Sequence, residues 1–187
     1  DKGRNPMSYK GGVTISNLLI NNLSLTGEYT LSEITTYKHF IDKVTYASNS
    51  YNLGHYLGDN SQEIYLALTY RPIRGLNINA SYVNAIHGNE YSYFNNYIKN
   101  TLKEPLLGEL TWRNETVALK TTYELFNNAY AVVNIEYNNA RGYDLSSTVT
   151  PNTGETRLTA QQYLDRYTPK FYQGENVTFT LGFSYGF

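Results

Sequence analysis

The 187-residue sequence has no cysteine, and one methionine and one tryptophan. Without cysteine there is neither a disulfide framework nor a thiolate metal site. Charge of either sign is not in excess: the formal net charge is −1. That leaves no basic field to draw nucleic acid and no acidic tail. No run of 18 apolar residues occurs, which excludes a transmembrane helix. It does not exclude a membrane, because a spanning β-strand needs only about 9–11 residues with one apolar face. The opening stretch, DKGRNPMSYK, lacks the apolar core of a signal peptide, so an exported protein would carry its signal outside this sequence. At this length the chain is sufficient for one sizeable domain.

What is abundant is tyrosine, at twenty residues. Tyrosine favours strands and amphipathic boundaries, where the ring is buried and the hydroxyl stays wet. The dominant period is two. The last residues, VTFTLGFSYGF, place Val177, Phe179, Leu181, Phe183, Tyr185 and Phe187 on one face, with Thr178, Thr180, Gly182, Ser184 and Gly186 on the other. LSLTGEYTL (23–31), IYLALTY (64–70), LNINASY (76–82), VALKTTYEL (117–125) and AYAVVNIEY (129–137) alternate likewise, and a weaker segment surrounds Val13 and Ile15. Seven strands are predicted, and no helical stripe competes with them.

Short connections (19–22, 71–75, 126–128) alternate strictly with long ones (32–60, 86–108, 144–175). An outer-membrane barrel has this pattern, with tight periplasmic turns and long outer loops; a soluble sandwich has no reason for it. Paired residues in an antiparallel ladder share a face. That parity predicts Leu125 opposite Ala129 and Tyr70 opposite Leu76. If Phe187 ends on the periplasmic side, Tyr70, Tyr123 and Tyr185 form one aromatic girdle, and Tyr29 and Tyr137 the other. Phe183, Tyr185 and Phe187 then form the C-terminal signal read by barrel-assembly machinery. The fold expectation is all-β: an antiparallel transmembrane β-barrel. Seven strands is an odd number, and it puts Asp1 outside the cell. Residues 1–187 are therefore expected to be the C-terminal part of one larger barrel, with N-terminal strands and any periplasmic part missing. The rival is a soluble β-sandwich, which would bury the same apolar rows against a second sheet.

Two stretches carry a family resemblance. They are LTGEYTLSEITTYKHF (25–40) and YNLGHYLGDNSQEIYLALTYRPIRGLNINASY (51–82). They resemble the C-terminal half of the Wzi-type capsule-assembly outer-membrane proteins. The resemblance implies a large β-barrel in the bacterial outer membrane. It also implies a non-enzymatic, lectin-like role in tethering capsular polysaccharide.

On the expected polar face lie Glu28, Lys120, Glu124 and Glu136, as a charged constriction or as structural ion pairs within a closed lumen. Lys120 is predicted opposite Asn134 and diagonal to Glu136. The expected outer loops hold Tyr37, Tyr51, Tyr56, Tyr91, Tyr93, Tyr97, Tyr163 and Tyr167, with Asp59 among the polar neighbours. Their rings would stack on sugars, or simply pack the loops into a cap. His55 with Asp59 lacks the spacing of a zinc site, and no metal, cofactor or catalytic residue is expected. Expected partners are the lipid bilayer with lipopolysaccharide, the barrel-assembly machinery, surface polysaccharide and other outer-membrane proteins. A passive porin and a structural subunit of a larger complex are the alternatives.

Overall fold

The structure is a computed structural model, and it describes residues 6–38, 47–48, 51–90, 106–146 and 158–186. Its strands are β1 (Ser8–Ser16), β2 (Leu23–Ser32), β3 (Ala47–Ser48), β4 (Tyr51–Asn52), β5 (Ser61–Tyr70), β6 (Leu76–Gly88), β7 (Leu110–Phe126), β8 (Ala129–Gly142) and β9 (Gly174–Tyr185). One α-helix, α1 (Ala160–Tyr167), and a 3-10 turn (Lys170–Tyr172) precede β9. Seven strands form one antiparallel meander, β1-β2-β5-β6-β7-β8-β9, while β3 and β4 pair only with each other. β1 and β9 sit at opposite ends of the sheet, which is not closed.

The register sorts every side chain to one of two faces. One rung of the ladder runs Ile15, Leu25, Leu68, Ala80, Leu119, Ile135 and Phe179. The next on the same face runs Val13, Gly27, Leu66, Tyr82, Val117, Tyr137 and Val177. On the opposite face one rung reads Ser16, Ser24, Thr69, Asn79, Lys120, Asn134 and Thr180. The alternation in the sequence thus becomes an apolar face and a polar face, each seven strands wide.

The apolar face is open. Leu119 is 46% exposed and Leu181 70%. Among the described residues no second sheet lies over it, so the rows are not buried as in a β-sandwich. Burying one such side chain is worth about 1.5–3 kcal/mol. A whole sheet face left uncovered is unlike the scattered single apolar residues of ordinary surfaces. Tyr29, Tyr70, Tyr123, Tyr137 and Tyr185 all belong to this face.

Toward the long connections the apolar face ends. The rung beyond Val117 reads Tyr29, Ile64, Asn84, Glu115, Asn139 and Glu175, and the next carries Gln62, Ile86, Arg113 and Arg141. β7 starts at Leu110, well before the predicted Val117, and β6 and β8 run on to Gly88 and Gly142. Backbone hydrogen bonds continue the ladder where side-chain alternation stops.

Two registers differ at the turns. Tyr70 pairs with Ile78, not Leu76, because Leu76 and Asn77 extend beyond β5 to pair with β7. Gly75, at φ +81°, supplies the left-handed step of that turn. Phe126, not Leu125, pairs with Ala129, since a bulge between Glu124 and Phe126 takes up Leu125. From Glu124 opposite Tyr130 onward the predicted register holds, including Lys120 opposite Asn134.

Candidate functional site

At the long-connection end, the chain folds back onto the polar face. Leu57, Ala85 and Trp112 form a buried cluster, with Val83, Leu164 and Tyr167 against it. Ala85 and Trp112 come from the sheet, Leu57 from the β4–β5 connection and Leu164 and Tyr167 from α1. The eight residues of the helix, AQQYLDRY, give too short a stripe to separate from the expected loop 144–175. Local chemistry starts it. The Thr159 side chain accepts from the Gln162 backbone N–H, and the Gln162 side chain accepts from the Thr159 N–H, a capping box. The Ala160 N–H donates to Asp144 Oδ1 (2.6 Å).

Tertiary contacts then fix the helix. Trp112 Nε1–H donates to Thr168 Oγ1 (2.8 Å), satisfying a buried indole. The Ala160 carbonyl occupies the space that a Cβ on Gly142 would need.

A polar chain crosses the same interface. The Tyr167 hydroxyl donates to Glu90 Oε1 (2.8 Å) and lies 3.2 Å from His87 Nε2. Arg166 Nη1 reaches Glu90 Oε1 at 3.1 Å. His87 is buried, and its Nδ1 lies 2.5 Å from the Gly88 carbonyl. A carbonyl only accepts, so Nδ1 carries a proton and Nε2 faces the phenol. The Thr111 hydroxyl donates to the Gly88 carbonyl (2.8 Å). Burial opposes the charge on Glu90. Lys38, Arg166, the Tyr167 hydroxyl and His87 outweigh it and hold the carboxyl below its ordinary range. Burial, followed by the charge and hydrogen bond of Glu90, pushes the Tyr167 phenol well above its usual value.

A second buried group ties the connections together. Asp59 Oδ2 accepts from the Thr35 N–H (3.0 Å) and lies 3.6 Å from Lys38 Nζ. Asn60 donates through Nδ2 to the Asn89 carbonyl (2.6 Å) and accepts at Oδ1 from the Leu107 N–H (2.8 Å). Its own N–H and carbonyl bond to Glu33 and Gly88. Three stretches of backbone, at Thr35, Asn89 and Leu107, thus converge on one pair of side chains.

Of the tyrosines expected to stack on sugars, Tyr163 is buried in the cap and Tyr167 is half-buried in it. Tyr37 bonds to Ser8 Oγ (3.1 Å) and its ring lies over Gly54. Tyr56 presents an exposed ring and donates to Glu63. Tyr51 sits in β4. Tyr91, Tyr93, Tyr97 and Phe187 lie outside the described residues. Asp59 belongs to the buried clamp.

On the polar face, Glu28 pairs with Lys10 (2.8 Å). Glu136 stands opposite Ala118 and Glu124 opposite Tyr130, and among the described residues no ion pair joins Lys120 to Glu136. A cavity of about 540 Å³ opens at the short-turn end, bounded by Arg71, Arg74, Asn77, Thr122, Glu124 and Tyr130 among others.

His55 Nε2 lies 3.9 Å from Glu63 Oε1. Among the described residues no group of three or more His, Asp or Glu is placed to hold a metal. No periodic pattern in the sequence singles out Trp112, Thr111 or Thr168. The lone tryptophan, sitting in a polar stretch, was the one available signal. Comparison with family models, curated proteins and solved structures finds no match.

Proposed function

We propose that this chain forms part of the wall of a β-barrel in the outer membrane of a Gram-negative cell. Its capped end binds surface polysaccharide and catalyses no reaction. The observation that carries the membrane part is the open apolar face, seven strands wide, on a sheet whose other face is largely polar. Lipid is the solvent in which that arrangement is stable. The polysaccharide part rests on the resemblance of residues 25–40 and 51–82, and is supported by an end where several connections are tied into one ordered surface. Exposed Tyr56 is the sugar-stacking ring that remains available among the described residues.

The cap favours this reading over a passive porin, because α1 and Leu57 lie across the polar face where an open channel would need water. A structural role in a larger complex is favoured by one observation of its own: among the described residues the outer edges of β1 and β9 have no strand partner. In lipid each unpaired edge group costs several kcal/mol, so both edges would need a pairing partner there. Deleting the gene tests the function. Cell-bound polysaccharide should fall while polymer in the medium persists. Unchanged cell-bound polymer removes the polysaccharide role, and a large conductance in planar bilayers restores the porin.

A further inference from the structure

We infer that the polar margin of the apolar face is a binding site for the phosphorylated headgroup of an outer-leaflet glycolipid, gripped by Arg113 and Arg141. The inference rests on the membrane reading above. These arginines are direct cross-strand partners on β7 and β8, two rungs beyond Val117 and Tyr137. Like charges directly opposite one another repel, so the sheet holds them at a cost. Each is oriented by its neighbours. Arg113 donates from Nε to Asn84 Oδ1 (3.3 Å) and from Nη2 to Glu115 Oε1 (2.6 Å). Arg141 repeats the pattern, from Nε to Asn139 Oδ1 (3.0 Å) and from Nη2 to Glu175 Oε1 (3.1 Å).

A guanidinium carries five N–H donors. Two on each arginine are used this way, which fixes its plane and leaves the rest without a partner among the described residues. Two oriented forks on adjacent strands match the oxygens of a phosphate, which arginine binds bidentately. Glu115 and Glu175 balance the pair, so the shelf does not attract anions indiscriminately. Its selectivity is geometric.

What specifies a lipid is the apolar surface that begins two rungs away. Past the intervening rung of Asn84, Glu115, Asn139 and Glu175, Tyr82, Val117, Tyr137 and Val177 form the first apolar rung, and Leu119, Ile135 and Phe179 the rung after that. Acyl chains would lie along these rows while the phosphate meets the arginines. The Tyr82 hydroxyl, donating to Glu115 Oε1 (3.3 Å), marks the boundary between the two. A free phosphate would use the forks but gain nothing from the rows.

The test is native mass spectrometry of the detergent-purified full chain. The probes are lipid A carrying both phosphates, lipid A with the phosphates removed, and inorganic phosphate. Wild type should prefer the phosphorylated lipid by about tenfold or more, the scale of one or two charge-assisted hydrogen bonds. Arg113→Gln with Arg141→Gln should abolish the preference, and the double lysine variant should restore part of it. Arg74→Gln, at the opposite end, should leave it intact. An unchanged preference in the glutamine variant overturns the site. So does displacement of the lipid by excess inorganic phosphate. Fractionation of the same preparations separates the two levels. A chain that stays soluble without detergent overturns the membrane reading. A detergent-requiring chain whose glutamine variant still prefers the phosphorylated lipid overturns the headgroup site alone.

Discussion

The wall of the sheet and the cap at its long-connection end obey opposite rules. Along the wall, Leu66, Leu119, Ile135 and Phe179 face outward and open, while Thr, Ser and Asn take the other side. In the cap, Trp112, Leu57 and Tyr163 are buried, and they share that interior with polar His87, Asn60 and Thr111. Water-soluble folding explains the cap: apolar surface is hidden, and each buried polar group named here has a hydrogen-bond partner. The wall does the opposite: one chain contains a region that hides its apolar side chains and another that leaves whole rows of them open. The boundary between them is the rung of Asn84, Glu115, Asn139 and Glu175.

Substitutions in the cap and in the wall should have different consequences. The largest effect is expected from Trp112→Ala, which removes the centre of the cap and leaves the Thr168 hydroxyl without its donor. About 3–5 kcal/mol should be lost, read as a lower midpoint in chemical unfolding and early proteolysis around α1. Leu119→Arg attacks the wall. In a bilayer it should cost about 2–4 kcal/mol, measured by refolding into vesicles. An exposed leucine in water could be replaced for about half a kcal/mol or less, so a neutral result would sink the membrane reading. Gly142→Ala should cost about 1–3 kcal/mol, because the new methyl displaces the Ala160 carbonyl. Hydrogen exchange should speed up in α1 and not in β9.

The gentlest probe is pH. Glu90 has a folded-state value held below its unfolded one, so its contribution is fully present above the ordinary carboxylate range. That contribution is lost as pH falls through the depressed value. Trp112 is the sole tryptophan, and its fluorescence should report a loosening cap at acid pH. Glu90→Gln should flatten that dependence while leaving the wall unchanged.

The wall was legible because its signal is local. Alternation at period two, as in 129–137, fixes the face of each residue before any partner is known. It fixed register too wherever a turn did not intervene, as for Lys120 and Asn134. At the turns it slipped, because Leu125 is absorbed by a bulge and Leu76 reaches past β5, and no side-chain pattern announces either. The first half of β7, LTWRNET, lies between the expected connection 86–108 and the alternating segment 117–125 and carries no such alternation. Its outward residues are charged and its inward Trp112 is large, so no hydrophobic period survives there. The cap was illegible for a different reason: His87 meets Tyr167 across eighty residues, and Asn60 meets Leu107 across 47.

The order of side chains alone determined seven strands, an oily face and a small polar face, since each follows from neighbours two residues apart. Only the tertiary structure decided that one end of the polar face is closed by α1 and that Arg113 lies beside Arg141. Those outcomes depend on which distant segments meet, and a hydrogen bond between remote residues leaves no periodic trace in the chain that makes it.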